Sequence, residues 1–198
     1  MDFKILVSII IGAVLINNYV LRQFLGICPF LGVSKDIKNA AGMSIAIIFV
    51  MLLATAVTWP IEIYLLEPNN LTYLQTIVFI LVIASLVQLV EIALKKFVPS
   101  LHKALGVYLP LMATNCAILG VTILNISKEY SYVESLVNAF GSGLGFLLGM
   151  VVFSGIREYT ENADPPESFK GLPLTLISAA ILSFSFFGFN GVIENMFR

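Results

Sequence analysis

The sequence predicts an all-α integral membrane protein whose six transmembrane helices form two inverted three-helix repeats. Three observations predict it: a strongly apolar composition, six charge-free stretches, and one motif that occurs twice. Of 198 residues, 59% are hydrophobic and only 12% charged, with a mean hydropathy of +0.96. A soluble domain carries about a quarter charged residues. The chain is therefore read as a single membrane domain, 1–198, with repeat one about 1–94 and repeat two about 95–198.

The uncharged stretches run 5–21, 39–61, 68–90, 104–127, 135–156 and 171–193. Five of them are 22–24 residues long, enough to cross a hydrocarbon core of about 30 Å as helix. Lipid leaves no water for stray backbone groups, so these stretches must be helical, and the alternation of a barrel is absent. The first stretch has 17 residues, and 12 further uncharged residues, 23–34, follow Arg22. Lys4 ahead of the apolar run 5–16 suggests a signal peptide, but Ile16-Asn17-Asn18-Tyr19 follows with no small-x-small cleavage site. The segment is expected to stay as the first span. The one extended polar loop is 157–170, where Pro165-Pro166 forbids helix continuation.

Six spans put both termini on one side, with Lys4, Lys128 and Arg198. The other side holds Arg22, Lys35, Lys38, Lys95, Lys96, Lys103, Arg157 and Lys170, eight basic residues against three. The positive-inside rule then puts the loops 22–38, 95–103 and 157–170 in the cytoplasm and both termini on the outer side. Asn70-Leu71-Thr72 and Asn125-Ile126-Ser127 match the glycosylation triplet, but each abuts a membrane segment and carries no functional weight. The net charge of −1 gives no sign of a nucleic-acid partner.

Cys28-Pro29-Phe30-Leu31-Gly32-Val33-Ser34 answers to Cys116-Ala117-Ile118-Leu119-Gly120-Val121-Thr122, giving C-x-x-L-G-V-[S/T] twice. A weaker echo pairs Asn39-Ala40-x-Gly42 with Asn138-Ala139-x-Gly141. Three spans per copy make the second copy enter from the opposite side, and inverted repeats share a site near the midplane, often at broken helices. Gly26, Pro29 and Gly32 interrupt the segment around Cys28, and Pro110 falls in mid-span before Cys116.

These are the only two cysteines, and three readings of them are open. Cysteine is a common buried hydrophobe; the pair could form a disulfide, unusual in a membrane core; or two thiolates at the midplane could ligate a metal, which removes the cost of their charge. An iron–sulfur cluster generally needs four cysteines, so this chain would hold half a site and a second chain the rest. No catalytic residue is expected. Gly141-Ser142-Gly143-Leu144-Gly145 lies inside a span, and Gly141, Gly145 and Gly149 read as a close helix-packing face. His102 has no metal partners nearby in the sequence. No carboxylate falls at the centre of a span, which argues against a proton-relay pump. Asn17, Asn18, Gln88, Thr114 and Asn115 are expected to be buried polar residues making interhelical hydrogen bonds, with Asn115 placed to tune a cluster at Cys116.

Asn17-Asn18-Tyr19-Val20-Leu21, Phe24-Leu25-Gly26-x-Cys28-Pro29-Phe30-Leu31-Gly32-Val33-Ser34, Leu105-Gly106-x-Tyr108-Leu109-Pro110-Leu111-x-x-Thr114-Asn115-Cys116-Ala117 and Gly155-Ile156-Arg157-Glu158 resemble the A-subunit family of the Rnf complexes. That family is similar to the E subunit of the sodium-pumping NADH:quinone reductase (Nqr), and the glycine-rich fifth span looks more like Nqr. The resemblance implies a membrane electron-transfer subunit of an ion-translocating ferredoxin:NAD⁺ oxidoreductase, moving Na⁺ or H⁺. It implies a paralogous partner of inverted orientation and a shared 2Fe–2S cluster at the midplane, with Cys28 and Cys116 as this chain's ligands. Flavin-bearing, ferredoxin-like and NADH-binding subunits would complete the complex, with no flavin or nicotinamide on this chain. A small inverted-repeat secondary transporter and a structural scaffold are the competing readings.

Overall fold

The computed structural model describes residues 3–16, 18–34, 37–69, 71–97, 115–161 and 166–196. Asn17, Asn70, His102, Pro110, Thr114, Pro165 and Arg198, and with them the first half of the fourth expected span, lie outside the described residues. Those described are helical with short connections. Helix α1 runs Phe3–Ile11 and widens into a π turn, Gly12–Ile16; α2 is the short helix Ile27–Val33. Then come α3 (Ile37–Ile61, continued by a π turn, Glu62–Leu66) and α4 (Gln75–Phe97). Beyond these lie α5 (Cys116–Ser127), α6 (Tyr132–Glu161) and α7 (Leu172–Met196).

Three apolar helices are long enough to cross a bilayer unaided, Ile37–Leu66, Thr72–Ile92 and Tyr132–Thr160, and three shorter ones accompany them, Leu6–Leu15, Cys116–Ser127 and Leu172–Gly188. Large apolar side chains cover the outside, among them Phe49, Ile77, Leu81, Leu89, Ile181 and Phe184. So extensive an apolar surface suits lipid. Gln88 lies on this exposed face of α4, not in the interior as its polarity inside a span suggested.

The centre is the pair α3–α6, from which Met43, Ile47, Met51, Phe146, Met150 and Phe153 enter the core. The two helices are antiparallel. The Arg157 guanidinium of α6 reaches Leu31 and Ser34 just ahead of α3, while Trp59 near the end of α3 donates to the Tyr130 carbonyl just ahead of α6, at 3.0 Å. Midway, a β-carbon at Gly143 would come within 2.7 Å of Ile48, so only glycine permits this approach. Helix α1 packs on α6, α5 packs on α3, α4 lies against α3 and α7 against α6.

The α1–α6 contact is the expected small-residue face. A β-carbon at Gly141 would lie 3.1 Å from Ala13 Cβ and 3.2 Å from Ile10 Cα, and one at Gly145 would lie 3.1 Å from the Ala13 carbonyl oxygen and 3.3 Å from Val14 Cα. Gly149 is buried on the same helix. Backbones this close gain dispersion contact along their length, the main attraction between helices in lipid.

Candidate functional site

The first span breaks between α1 and α2, and Asn18 holds the break together. Its amide nitrogen donates to Gly145 O at 2.8 Å and Val14 O at 3.3 Å, and its oxygen accepts from Val20 N at 3.1 Å and Leu21 N at 3.4 Å. The Ser183 hydroxyl of α7 donates to the Leu21 carbonyl. Non-helical backbone survives at membrane depth only where protein satisfies it in this way. The chain then turns into α2 through left-handed Gly26, φ 82°. A side chain there would also come within 3.0 Å of Phe146 and 3.1 Å of Ala117, so conformation and space both demand glycine.

Both cysteines lie in first turns: Cys28 is the second residue of α2, Cys116 the first of α5. The two N-termini meet, for the Gly26 N–H donates to Cys116 Sγ at 2.9 Å. The copies of the motif also share a burial pattern. In each, the cysteine is exposed, the next residue (Pro29, Ala117) is buried, and the closing pair (Val33-Ser34, Val121-Thr122) is buried. Both thiols are free. Helix N-termini carry partial positive charge, so the setting suits anionic ligands.

Asn115 caps α5, its side-chain oxygen accepting from Ala117 N at 2.9 Å. It is 4% exposed, and its Nδ2 has no hydrogen-bond partner. A buried amide donor left idle costs about 1–3 kcal/mol, and this one belongs to the residue immediately before Cys116. The Arg157 guanidinium secures the far end of α2, donating to Leu31 O at 2.7 Å and Ser34 Oγ at 2.9 Å. A cation at a helix C-terminus satisfies late carbonyls and opposes the dipole.

Among the described residues, no group of three or more His, Cys, Asp or Glu gathers to hold a metal ion. The chain offers two exposed thiols, a convergent pair of helix N-termini and one idle donor. That set fits half of a thiolate-ligated anionic cluster. The other polar expectations resolve structurally: Asn125 is buried, donating to Ser135 O at 3.2 Å and accepting from Asn138 Nδ2 at 2.6 Å, so its triplet is no surface acceptor. One buried carboxylate, Glu62, escaped the sequence reading because it stands one residue beyond the uncharged stretch 39–61; Pro60, two residues earlier, was the available signal.

A family model described as "Rnf-Nqr subunit, membrane protein" matches residues 6–193. The A subunit of the Na(+)-translocating ferredoxin:NAD(+) oxidoreductase complex of Acetobacterium woodii is 52% identical over 94% of this chain and 97% of that protein. The A subunit of the ion-translocating oxidoreductase complex of Syntrophotalea carbinolica is 51% identical over 96% and 98%, and its counterpart in Vibrio vulnificus 45% identical over 95% and 98%. With a family match spanning nearly its whole length and relatives aligned end to end, this chain belongs to the Rnf–Nqr family of membrane subunits, among relatives that bear the name of the A subunit of ion-translocating oxidoreductase complexes.

Proposed function

We propose that this chain is the electron-transfer membrane subunit of an ion-translocating ferredoxin:NAD⁺ oxidoreductase, in which Cys28 and Cys116 supply half the ligands of a 2Fe–2S cluster and a paralogous subunit supplies the rest. The observation that carries the reading is the pair of repeated cysteines in the first turns of two facing half-helices, both exposed on the chain's surface. The A. woodii relative's name includes both the redox couple and sodium. The flavin-bearing, ferredoxin-like and NADH-binding partners belong to this proposal.

When bound, such a cluster accepts one electron and passes it on. The residues' part is to make that charge tolerable and its position fixed. The N-termini of α2 and α5 offset negative charge on the thiolates. Asn115 Nδ2 supplies a donor toward the site, and hydrogen bonds near cluster sulfurs help set the reduction potential. Asn18 and Arg157 fix the two ends of the segment that carries Cys28. Length supports a midplane location. From the cysteines onward, α2 runs six residues, Cys28–Val33, and α5 runs 12, about 9 Å and about 18 Å of helix, together close to a hydrocarbon core of about 30 Å.

The packing supports the inverted repeat. Exchanging α1–α2 with α5, α3 with α6, and α4 with α7 maps α1–α6 onto α5–α3 and α3–α4 onto α6–α7. Six spans with both termini outside complete this reading. To test it, Cys28→Ser and Cys116→Ser are made in the co-purified complex. Each is expected to abolish one electron paramagnetic resonance signal and block electron transfer while the complex still assembles. A normal signal and full turnover in either mutant would make that cysteine an ordinary surface residue.

A further inference from the structure

Near the C-terminal end of α3, Pro60 withdraws a backbone donor and the helix widens into the π turn Glu62–Leu66. Glu62 in that turn is 3% exposed, and its Oε2 has no hydrogen-bond partner. A buried carboxylate oxygen left idle is costly. It lines a cavity of about 490 Å³ together with Glu67, Thr72, Glu129, Tyr130, Ser131 and Glu134. Of these carboxylates, Glu134 already accepts from Ser131 N at 2.9 Å and Ser131 Oγ at 2.8 Å. No basic side chain is among the lining residues described. Lys128, close by in the chain, stands over the Tyr130 ring at 5.6 Å instead.

Two helix C-terminal ends converge here, the π turn of α3 and the end of α5, whose Ile126 lines the cavity, and the N-terminus of α6 that meets them is already answered by its own Glu134. Helix C-termini carry partial negative charge, and such ends, with unwound carbonyls, coordinate small cations in inverted-repeat transporters. At the opposite end of the α3–α6 pair, the C-terminus of α2 is met by a cation the chain itself supplies, Arg157. The Glu62 end has the negative charge and no such resident. We propose that the Glu62 pocket binds a small monovalent cation, sodium, with the Glu62 carboxylate as its innermost ligand.

Beside the apolar Trp59, Ile63 and Ile126, the lining offers oxygen ligands, the carboxylates and the hydroxyls of Thr72 and Ser131, the donors hard cations take. Helix α1 runs parallel to α6, since Ile10 and Ala13 meet Gly141 while Val14 and Asn18 meet Gly145. The pocket therefore lies at the end where the chain begins, the outer side by the Lys/Arg asymmetry. Its service in ion translocation rests on the reading proposed above; the site itself rests on the pocket.

Dicyclohexylcarbodiimide attacks protonated carboxyls in apolar sites, and mass spectrometry of the peptide locates the adduct. In the purified complex, Glu62 should be labelled at low sodium and protected by NaCl, while choline chloride at equal ionic strength should leave it reactive. Glu129→Gln, which removes one lining charge, should raise the half-protective sodium concentration about threefold. An unreactive Glu62 at low sodium, or equal protection by choline, overturns the proposal. The cluster signal is read in the same sample: its absence with sodium protection intact would sink the electron-transfer reading and leave this site standing.

Discussion

The helices that carry the two copies of the motif, α2 and α5, are finished at their C-terminal ends in opposite ways. At α2, α6 delivers Arg157, whose guanidinium donates to Leu31 O and Ser34 Oγ. At α5, α3 delivers Trp59, whose indole donates only to Tyr130 O, and beside it Glu62 is buried with Oε2 unpartnered. One end is closed by a built-in cation and the other left negative. The N-terminal ends, by contrast, are alike: first-turn cysteines, both exposed. What is shared between the copies is what the proposed cluster would require of its two ligands, and what differs lies at the ends away from it.

The echo at Asn39 and Asn138 diverges in the same manner. Asn138 is buried, donating to Tyr19 Oη at 3.3 Å and Asn125 Oδ1 at 2.6 Å, whereas Asn39 is exposed. Gly141 is pressed against α1, yet a side chain at Gly42 would meet nothing within 4 Å. The second copy's face is used inside the chain and the first copy's is left open on it.

The largest effect that sharpens this contrast is expected from Gly145→Leu. Its side chain would enter the α1 backbone and displace Asn18, so the chain should be lost from the assembled complex; normal assembly would mean α1 and α6 are not in contact. Gly42→Leu in the isolated chain should leave yield and unfolding temperature unchanged. Next comes Arg157→Met, which leaves the Leu31 carbonyl and the α2 terminus without their cation. It should cost about 2–3 kcal/mol, seen as a lower unfolding temperature in detergent, with Arg157→Lys recovering part. Equal stability of Arg157→Met and wild type would break the comparison at its better-built end. The smallest effect is Trp59→Phe, which removes one neutral hydrogen bond and should cost about 1 kcal/mol, measured in the same melt. A loss larger than that of Arg157→Met would reverse the ranking of the two ends.

Much of the site was legible because its signals are local. Gly26 announces the broken helix, standing left-handed at the turn into α2, whereas Pro29 and Gly32, expected to interrupt the segment, lie within α2, where a first-turn proline gives up no intrahelical bond; the recurrence of C-x-x-L-G-V-[S/T] ties Cys116 to the same segment. Gly141 and Gly145 were readable as a packing face because four residues return to the same side of a helix. Gln88 misled because polarity inside a span predicts burial only if a neighbouring helix covers that face, and none among the described residues covers it on α4.

The sequence by itself therefore determined the membrane class, the helical character, the broken first segment and the repeated cysteine motif, since composition, helix breaking and repetition act along the chain. Only the tertiary structure decided that the two N-termini face each other through Gly26 and Cys116, that Arg157 closes α2, and that Glu62 is buried with an idle oxygen. Those depend on which helices cross and how closely. That is set by where glycines let backbones approach, and no local pattern records the residue that will stand on the other side.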